Sequence, residues 1–190
     1  MEIQFYLATA CLVLFMVLAT YDGFYLHIFK YALFNRDESI FEHKTHTARA
    51  VLFPLIVWFI MVNETSLSVF LIGIAFVLLD LVVLGIDAYS EKESRSFMGG
   101  LPKWEYIVHL FSNAFHFSAI ILVLSLKIEI VDSSVVFVNE LPPSTAKEIF
   151  AFVSINVIPG AIVLALLHFV LMLAKPRKIW NLYRTRITCC

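Results

Sequence analysis

Imidazole and carboxylate groups recur along one apolar stretch of the chain at the spacing of a helix. The set consists of Glu105, His109, Ser112 and His116. A rotation of about 100° per residue brings all four into a narrow arc of one helix face. An ionisable side chain within a membrane helix costs several kcal/mol unless it is paired, hydrated or bound to a metal. We therefore expect this face to form part of a functional site.

Two further stretches carry polar stripes of the same kind. One stripe is acidic, and the other mixes acids with histidines. They consist of Asp80, Asp87 and Glu91, and of Glu38, Glu42, His43 and His46. Both follow helical offsets, so we expect both to face the interior of a helical bundle.

The depth of these groups indicates that they share one level. At about 1.5 Å per residue, His109 lies roughly 9 Å along a helix from Lys103, and His168 roughly 10 Å from Lys175. Asp22 lies near the end of the first apolar stretch, at a similar depth. Five helices would thus contribute side chains to a single layer.

This inventory predicts a metal centre with one or two divalent ions. Histidine and carboxylate ligands without thiolate suit Zn, Fe(II) or Mn. The predicted metal ligands are His43, His46, His109, His116, Asp80, Asp22 and His168. The predicted general acids or bases are Glu42, Glu105 and Asp87. His27 and Glu91 are expected to be solvated at the interface, outside the site.

His43-Lys-Thr-His46 forms an HxxH pair. In kind, a histidine site within a membrane helical bundle is similar to the site of the membrane fatty-acid desaturases and hydroxylases, which hold two irons at the cytoplasmic face. Those enzymes carry several HxxxH and HxxHH boxes, whereas this chain has six histidines in total. The sequence is therefore assigned to no family.

The composition requires the bilayer as solvent for much of the chain. Hydrophobic residues make up 61% of it and charged residues 15%, against about 45–50% and 25% in soluble domains. We predict an all-α integral membrane protein with one domain of about five spans, at residues 4–28, 38–62, 66–88, 103–126 and 148–174. Residues 127–147 would form an extracytoplasmic loop or hairpin, and 175–190 a basic cytoplasmic tail.

The placement of lysine and arginine predicts the orientation. Twelve of the 14 basic residues fall on one side of these spans, and only Lys127 and Lys147 on the other. Because cytoplasmic loops retain positive charge, we expect the N-terminus outside, the C-terminus in the cytoplasm, and the protein in the plasma (inner) membrane.

Three functions follow from these features. The first is a metal-dependent enzyme that oxidises, hydroxylates or hydrolyses a lipid-like substrate from the cytoplasmic leaflet. The second is a haem b or quinone-binding electron-transfer subunit, with His109 or His116 and His168 as axial ligands. The third is a proton or ion transporter. A net charge of −1 and the lack of a basic stripe argue against a nucleic-acid partner, and the oligomeric state is left open.

Overall fold

The computed structural model describes residues 1–63, 66–138 and 140–188. This part of the chain is almost entirely helical and contains five helices that are long and apolar enough to cross a membrane. The all-α architecture and the number of candidate spans therefore agree with the sequence prediction.

The helices are α1 at Glu2–Ala19, α2 at Ile40–Ile56, α3 at Leu67–Ser94, α4 at Lys103–Lys127 and α5 at Thr145–Leu171. Two of them continue directly into wider π-helical turns, α1 through Thr20–Lys30 and α2 through Val57–Val62. Short 3-10 turns occupy Leu33–Asn35, Asp37–Ser39 and Ser96–Met98. The third helix runs beyond the predicted boundary at residue 88, so Glu91 belongs to the same helix as Asp80 and Asp87.

Serine side chains fix the starts of two spans. Ser66 accepts a hydrogen bond from the backbone N–H of Val69, and Ser144 accepts one from that of Lys147. Each serine thereby satisfies one of the backbone donors that the first turn of a helix leaves without a partner.

The segment after α4 folds into a two-stranded antiparallel hairpin. Strand β1 covers Ile128–Val131 and β2 covers Ser134–Phe137, with Ile130 opposite Val135. Asp132 and Ser133 adopt positive φ angles at the turn, as two-residue hairpin turns of type I′ require. The β-branched residues of this loop therefore form a hairpin, as the sequence predicts.

The bundle places α5 between α1 and α2, while α4 packs on α1 and α3 packs on α2. One half of the bundle contains a largely apolar core. Its fully buried members include Ala8, Leu12, Ile56, Ile60, Ile120 and Val123. Most buried polar groups occupy the other half, toward the ends of α1, α3 and α5 and the starts of α2 and α4, while Ser154 and Lys127 are buried in the first half. Side chains from all five candidate spans contribute to this polar half.

The predicted basic tail is a helix in its described part. Helix α6 covers Ala174–Thr188 and folds back against the segment that follows the first span. Asn35 and Asn181 donate hydrogen bonds to each other through their side-chain amides, at 2.8 and 3.1 Å. The last two residues of the predicted tail lie outside the described residues.

Candidate functional site

The π-helical extension of α1 brings Asp22 and His27 to one side of the chain. Five residues apart, they would be separated by roughly 140° on an α-helix, whereas i→i+5 hydrogen bonding places them about one turn apart. His27 Nε2 lies 3.3 Å from Asp22 Oδ1, and the His27 side chain is completely buried. The expectation that His27 is solvated at the interface is therefore wrong.

Arg95 occupies the centre of the layer although it follows the end of α3. Its Nη1 donates to Glu42 Oε2 and its Nη2 to Glu105 Oε1, each at 2.6 Å. Burial alone would lower the pKa of the Arg95 guanidinium, but the two carboxylates outweigh it and raise the pKa above its ordinary value. Arg95 therefore stays charged and ties α2 to α4.

Arg95 also sets the state of His27. Its Nη2 lies 3.1 Å from His27 Nε2, and because a guanidinium can only donate, Nε2 is the acceptor and Nδ1 carries the ring proton. No group in the described chain accepts a hydrogen bond from that Nδ1.

His109 holds a carboxylate at each ring nitrogen. Nδ1 lies 2.9 Å from Glu91 Oε1, and Nε2 lies 3.0 Å from Asp22 Oδ1. A neutral imidazole has only one N–H, so one of these contacts would bring a lone pair against a carboxylate oxygen. The ring therefore needs a positive charge, supplied either by a second proton or by a metal ion at Nε2. Glu91, expected to be solvated, has a side chain only 13% exposed.

His46 on α2 faces two carboxylates through a single ring nitrogen. Its Nε2 lies 3.5 Å from Glu42 Oε1 and 3.2 Å from Asp87 Oδ2. Within the described residues, neither this nitrogen nor Glu42 Oε1 has a hydrogen bond of acceptable geometry. Thr45 donates instead to Asp87 Oδ1. His46, Glu42 and Asp87 thus converge on one point without bonding to one another.

These separations match those between ligands of one metal ion. Two ligand atoms about 2.1 Å from an ion at the tetrahedral angle are about 3.4 Å apart. Two sets of side chains have ligand atoms that all lie within 4.8 Å of one another. They are Asp22, His27, Glu105 and His109, and His27, Glu42 and His46. His27 belongs to both sets, so the sets overlap around one imidazole ring.

The charge of the layer is unbalanced in the described part of the chain. Its carboxylates are Asp22, Glu42, Asp80, Asp87, Glu91 and Glu105, and its guanidinium groups are Arg49 and Arg95. With neutral histidines, six negative charges face two positive ones and leave four without compensation. Because a buried charge without a partner is very costly, the layer requires protons on its histidines or carboxylates, or bound cations.

A second polar group lies deeper toward the apolar core. Asp80 lies 3.1 Å from Arg49 Nε and 3.2 Å from His116 Nε2, using a different carboxylate oxygen for each. Arg49 also donates to Asn113 at 2.8 Å. This carboxylate already has an arginine partner, and neither Asp80 nor His116 belongs to a metal set.

The last two histidines pair with each other. The rings of His43 and His168 stack at 5.1 Å, and His43 Nε2 lies 3.1 Å from the backbone oxygen of His168. A β-carbon on Gly23 would stand 3.5 Å from His168 Nε2. That distance is an ordinary van der Waals contact, so α5 packs directly on the π-helical turn that carries Asp22.

A cavity of about 100 Å³ connects these groups. Its polar wall includes Asp22, His46, Asp87, Glu91 and His109, with Asp80, Arg49, His116 and His168. Its apolar wall includes Phe15, Met16, Phe53, Ala161 and Leu164. His27, Glu42, Glu105 and Arg95 do not line it and form a layer behind it. Of the three predicted acids or bases, only Asp87 faces the cavity.

The structure brings together five of the ten predicted site residues in the two metal sets. These are Asp22, Glu42, His46, Glu105 and His109. Asp87 lies beside the second set, while Asp80 and His116 form one separate pair and His43 and His168 another. The arrangement differs from the single ligand set predicted, and it includes His27, Glu91 and Arg95, which the sequence analysis did not place in the site.

Comparison of the chain with protein-family models, with curated proteins and with solved structures finds no match. The functional argument therefore rests on the geometry and charge of this layer.

Proposed function

We propose that this protein is a metal-dependent integral membrane enzyme whose site is the layer around His27, His46 and His109. The observation that carries the proposal is the pair of histidine nitrogens, His109 Nε2 and His46 Nε2, that face carboxylate oxygens at 3.0 to 3.5 Å. A neutral His109 can donate to only one of its two carboxylates, and a neutral His46 has at most one N–H for the two oxygens that face its Nε2. A cation between the atoms makes all of these contacts favourable.

The residues present fit a zinc or iron ion. Asp22, His109 and His27 would bind the first metal ion. Glu91, in contact with His109 Nδ1, would then be the outer carboxylate partner that is typical of metal-binding histidines. An ion bound by His27 Nε2 would take the place of the Arg95 contact. Glu42 and His46 would supply a second position, and two divalent ions would balance the four uncompensated charges.

Asp87 is the residue best placed to exchange protons with a substrate. It faces the cavity, Thr45 donates to its Oδ1, and its Oδ2 lies 3.2 Å from His46 Nε2. A divalent ion would supply Lewis-acid polarisation of a substrate oxygen, and iron would add oxygen chemistry. The reaction class we propose is accordingly hydrolysis or oxidation, and the identity of the metal decides between them.

The substrate we propose is lipid-like. The cavity combines a polar wall with an apolar one, and its volume of about 100 Å³ corresponds to about three water molecules. Only the reacting portion of a hydrocarbon chain would enter it. With the orientation predicted from the basic residues, this portion would come from the cytoplasmic leaflet of the plasma (inner) membrane. The volume lies below the roughly 300–1,000 Å³ of common cofactor pockets and disfavours haem b.

A proton transporter is the second candidate, and one observation favours it. A protonated His109 satisfies Asp22 and Glu91 together, because an imidazolium donates from both nitrogens. The core in the other half of the bundle argues against this function, since its buried described side chains are apolar apart from Ser154 and Lys127.

Elemental analysis and an absorption spectrum of the detergent-purified protein, prepared without chelators, test the proposal. We expect near-stoichiometric Zn, Fe or Mn and no haem band. In the variants His46→Gln and His109→Gln the metal should fall to background. His116→Gln is the matched control, because it makes the same change in a buried histidine bound to one carboxylate, and it should retain the metal.

Two results would contradict the metal site. One is protein without metal both as purified and after incubation with Zn²⁺ or Fe²⁺. The other is an equal metal content in all three glutamine variants. Pumping of protons by the metal-free protein in liposomes would then favour the transporter.

A further inference from the structure

Helix α6 has a strongly one-sided composition. Among residues 174–188 it contains Lys175, Arg177, Lys178, Arg184 and Arg186 and no acidic residue. It begins three residues after the end of the last candidate span. A basic helix at this position lies at the level of lipid headgroups rather than in bulk water.

One side of α6 is fixed to the rest of the protein. Arg177 and Arg184 donate to the backbone oxygens of Phe34 and Phe29, at 3.1 and 3.3 Å. Trp180 packs on an apolar cluster of Ile28, Ala32, Phe34 and Leu171. Together with the Asn35–Asn181 pair, these contacts fix the rotation of the helix about its axis.

The fixed rotation turns an apolar stripe outward. Ile179, Tyr183 and Ile187 follow one another at intervals of four residues and are 56%, 61% and 65% exposed. Leu182 lies beside them and is 64% exposed. Residues at this spacing share one face of a helix, and exposed apolar faces of this kind mark interaction surfaces.

We infer that α6 is an interfacial helix that binds anionic phospholipids of the leaflet at which α5 ends. The stripe enters the boundary between headgroups and acyl chains, and the lysines beside it contact lipid phosphates. Two features favour lipid over a protein partner. The helix continues directly from a span, and its charge is entirely positive. The inference does not depend on the metal site.

A nitroxide label on α6 in reconstituted full-length protein tests this inference. The label is placed at Ile179→Cys in protein whose Cys11, Cys189 and Cys190 are replaced by serine. Thr185→Cys, about a third of a turn away around the helix, is the matched control. Bilayers of phosphatidylcholine alone are compared with bilayers containing phosphatidylglycerol.

We expect the label at 179 to be shielded from a water-soluble relaxation agent only in the anionic bilayers, and the label at 185 to stay accessible in both. The double change Lys175→Gln and Lys178→Gln should weaken the attraction roughly 30-fold and restore access at 179. Tryptic cleavage within α6 of unlabelled protein should be slower in the anionic bilayers. Equal accessibility and equal cleavage in the two lipids would overturn the inference, as would wild-type behaviour of the double variant.

Discussion

Replacement of Arg95 with methionine tests the electrostatic core of the site without reference to any metal. The Arg95 side chain is completely buried and donates to Glu42 and Glu105 at 2.6 Å. Methionine occupies much of the same space but carries no charge, so the variant leaves two buried carboxylates without their partner. Removing one partner of a buried ion pair costs about 3–5 kcal/mol.

This cost converts to a large change in thermal stability. For a chain of this length, 1 kcal/mol shifts Tm by about 2–4 °C, so Arg95→Met should lower Tm by roughly 6–20 °C. Tryptophan fluorescence during heating in detergent measures the shift. Lys92→Met is the control, because Lys92 is exposed at the same end of α3, and a surface change is expected to stay within about 0.5 kcal/mol.

A compensated variant separates charge from packing. Adding Glu42→Gln and Glu105→Gln to Arg95→Met removes the unpaired charges, and replacement of a whole buried ionic group by neutral residues is often close to neutral in stability. The triple variant should therefore recover most of the lost Tm. A shift of less than about 2 °C in Arg95→Met, or a triple variant less stable than the single one, would refute this reasoning.

Two further predictions concern the metal site and the packing of α3. Glu91→Gln should weaken metal binding about 10- to 100-fold in a competition titration with a chelating dye, and unchanged affinity would remove Glu91 from its role behind His109. Gly73→Ala should destabilise the protein by about 1–3 kcal/mol, because a β-carbon there would lie 2.6 Å from Ile60 Cδ1. Gly85→Ala on the same helix meets nothing within 4 Å and should stabilise it by about 0.5–1 kcal/mol; similar melting temperatures for both would contradict this packing.

Helical periodicity predicts the parts of the site that lie on regular α-helix. Glu105, His109, Ser112 and His116 are all buried on one face of α4, and Asp80 and Asp87 are buried on α3. These positions follow from a rotation of 100° per residue, which is a property of the backbone alone. The five candidate spans can likewise be predicted from the sequence, because the length and apolar composition of a stretch are enough to identify it.

The residues that the sequence analysis placed outside the site lie where the backbone departs from that periodicity. His27 joins Asp22 only through the π-helical turns at Thr20–Lys30, and a count at α-helical spacing assigns the two to different faces. The sequence feature that could have indicated this turn is the polar pair Asp22-Gly23 inside an apolar span, followed by His27 five residues after Asp22. π-Bulges inside helices are frequent at functional sites. Arg95 follows α3 and counts as a loop residue in a topology argument, yet it is completely buried.

The charge of the layer distinguishes the two candidate functions, the metal-dependent enzyme and the proton transporter. Two divalent ions would supply the four positive charges that the layer lacks, and the alternative is four protons on its histidines or carboxylates. If all six carboxylates stay ionised, those protons reside on four of the six histidines. Two of these, His43 and His168, are stacked on each other at 5.1 Å, and a charge on both rings would be repulsive. His27 accepts from Arg95 at Nε2, which excludes a proton there while that contact lasts. The rings that remain are those of His46, His109 and His116, together with one ring of the stacked pair. Protonated histidines can balance the charge only when all four of these rings are charged, whereas metal binding uses the nitrogens that already face carboxylates. This difference favours the metal centre.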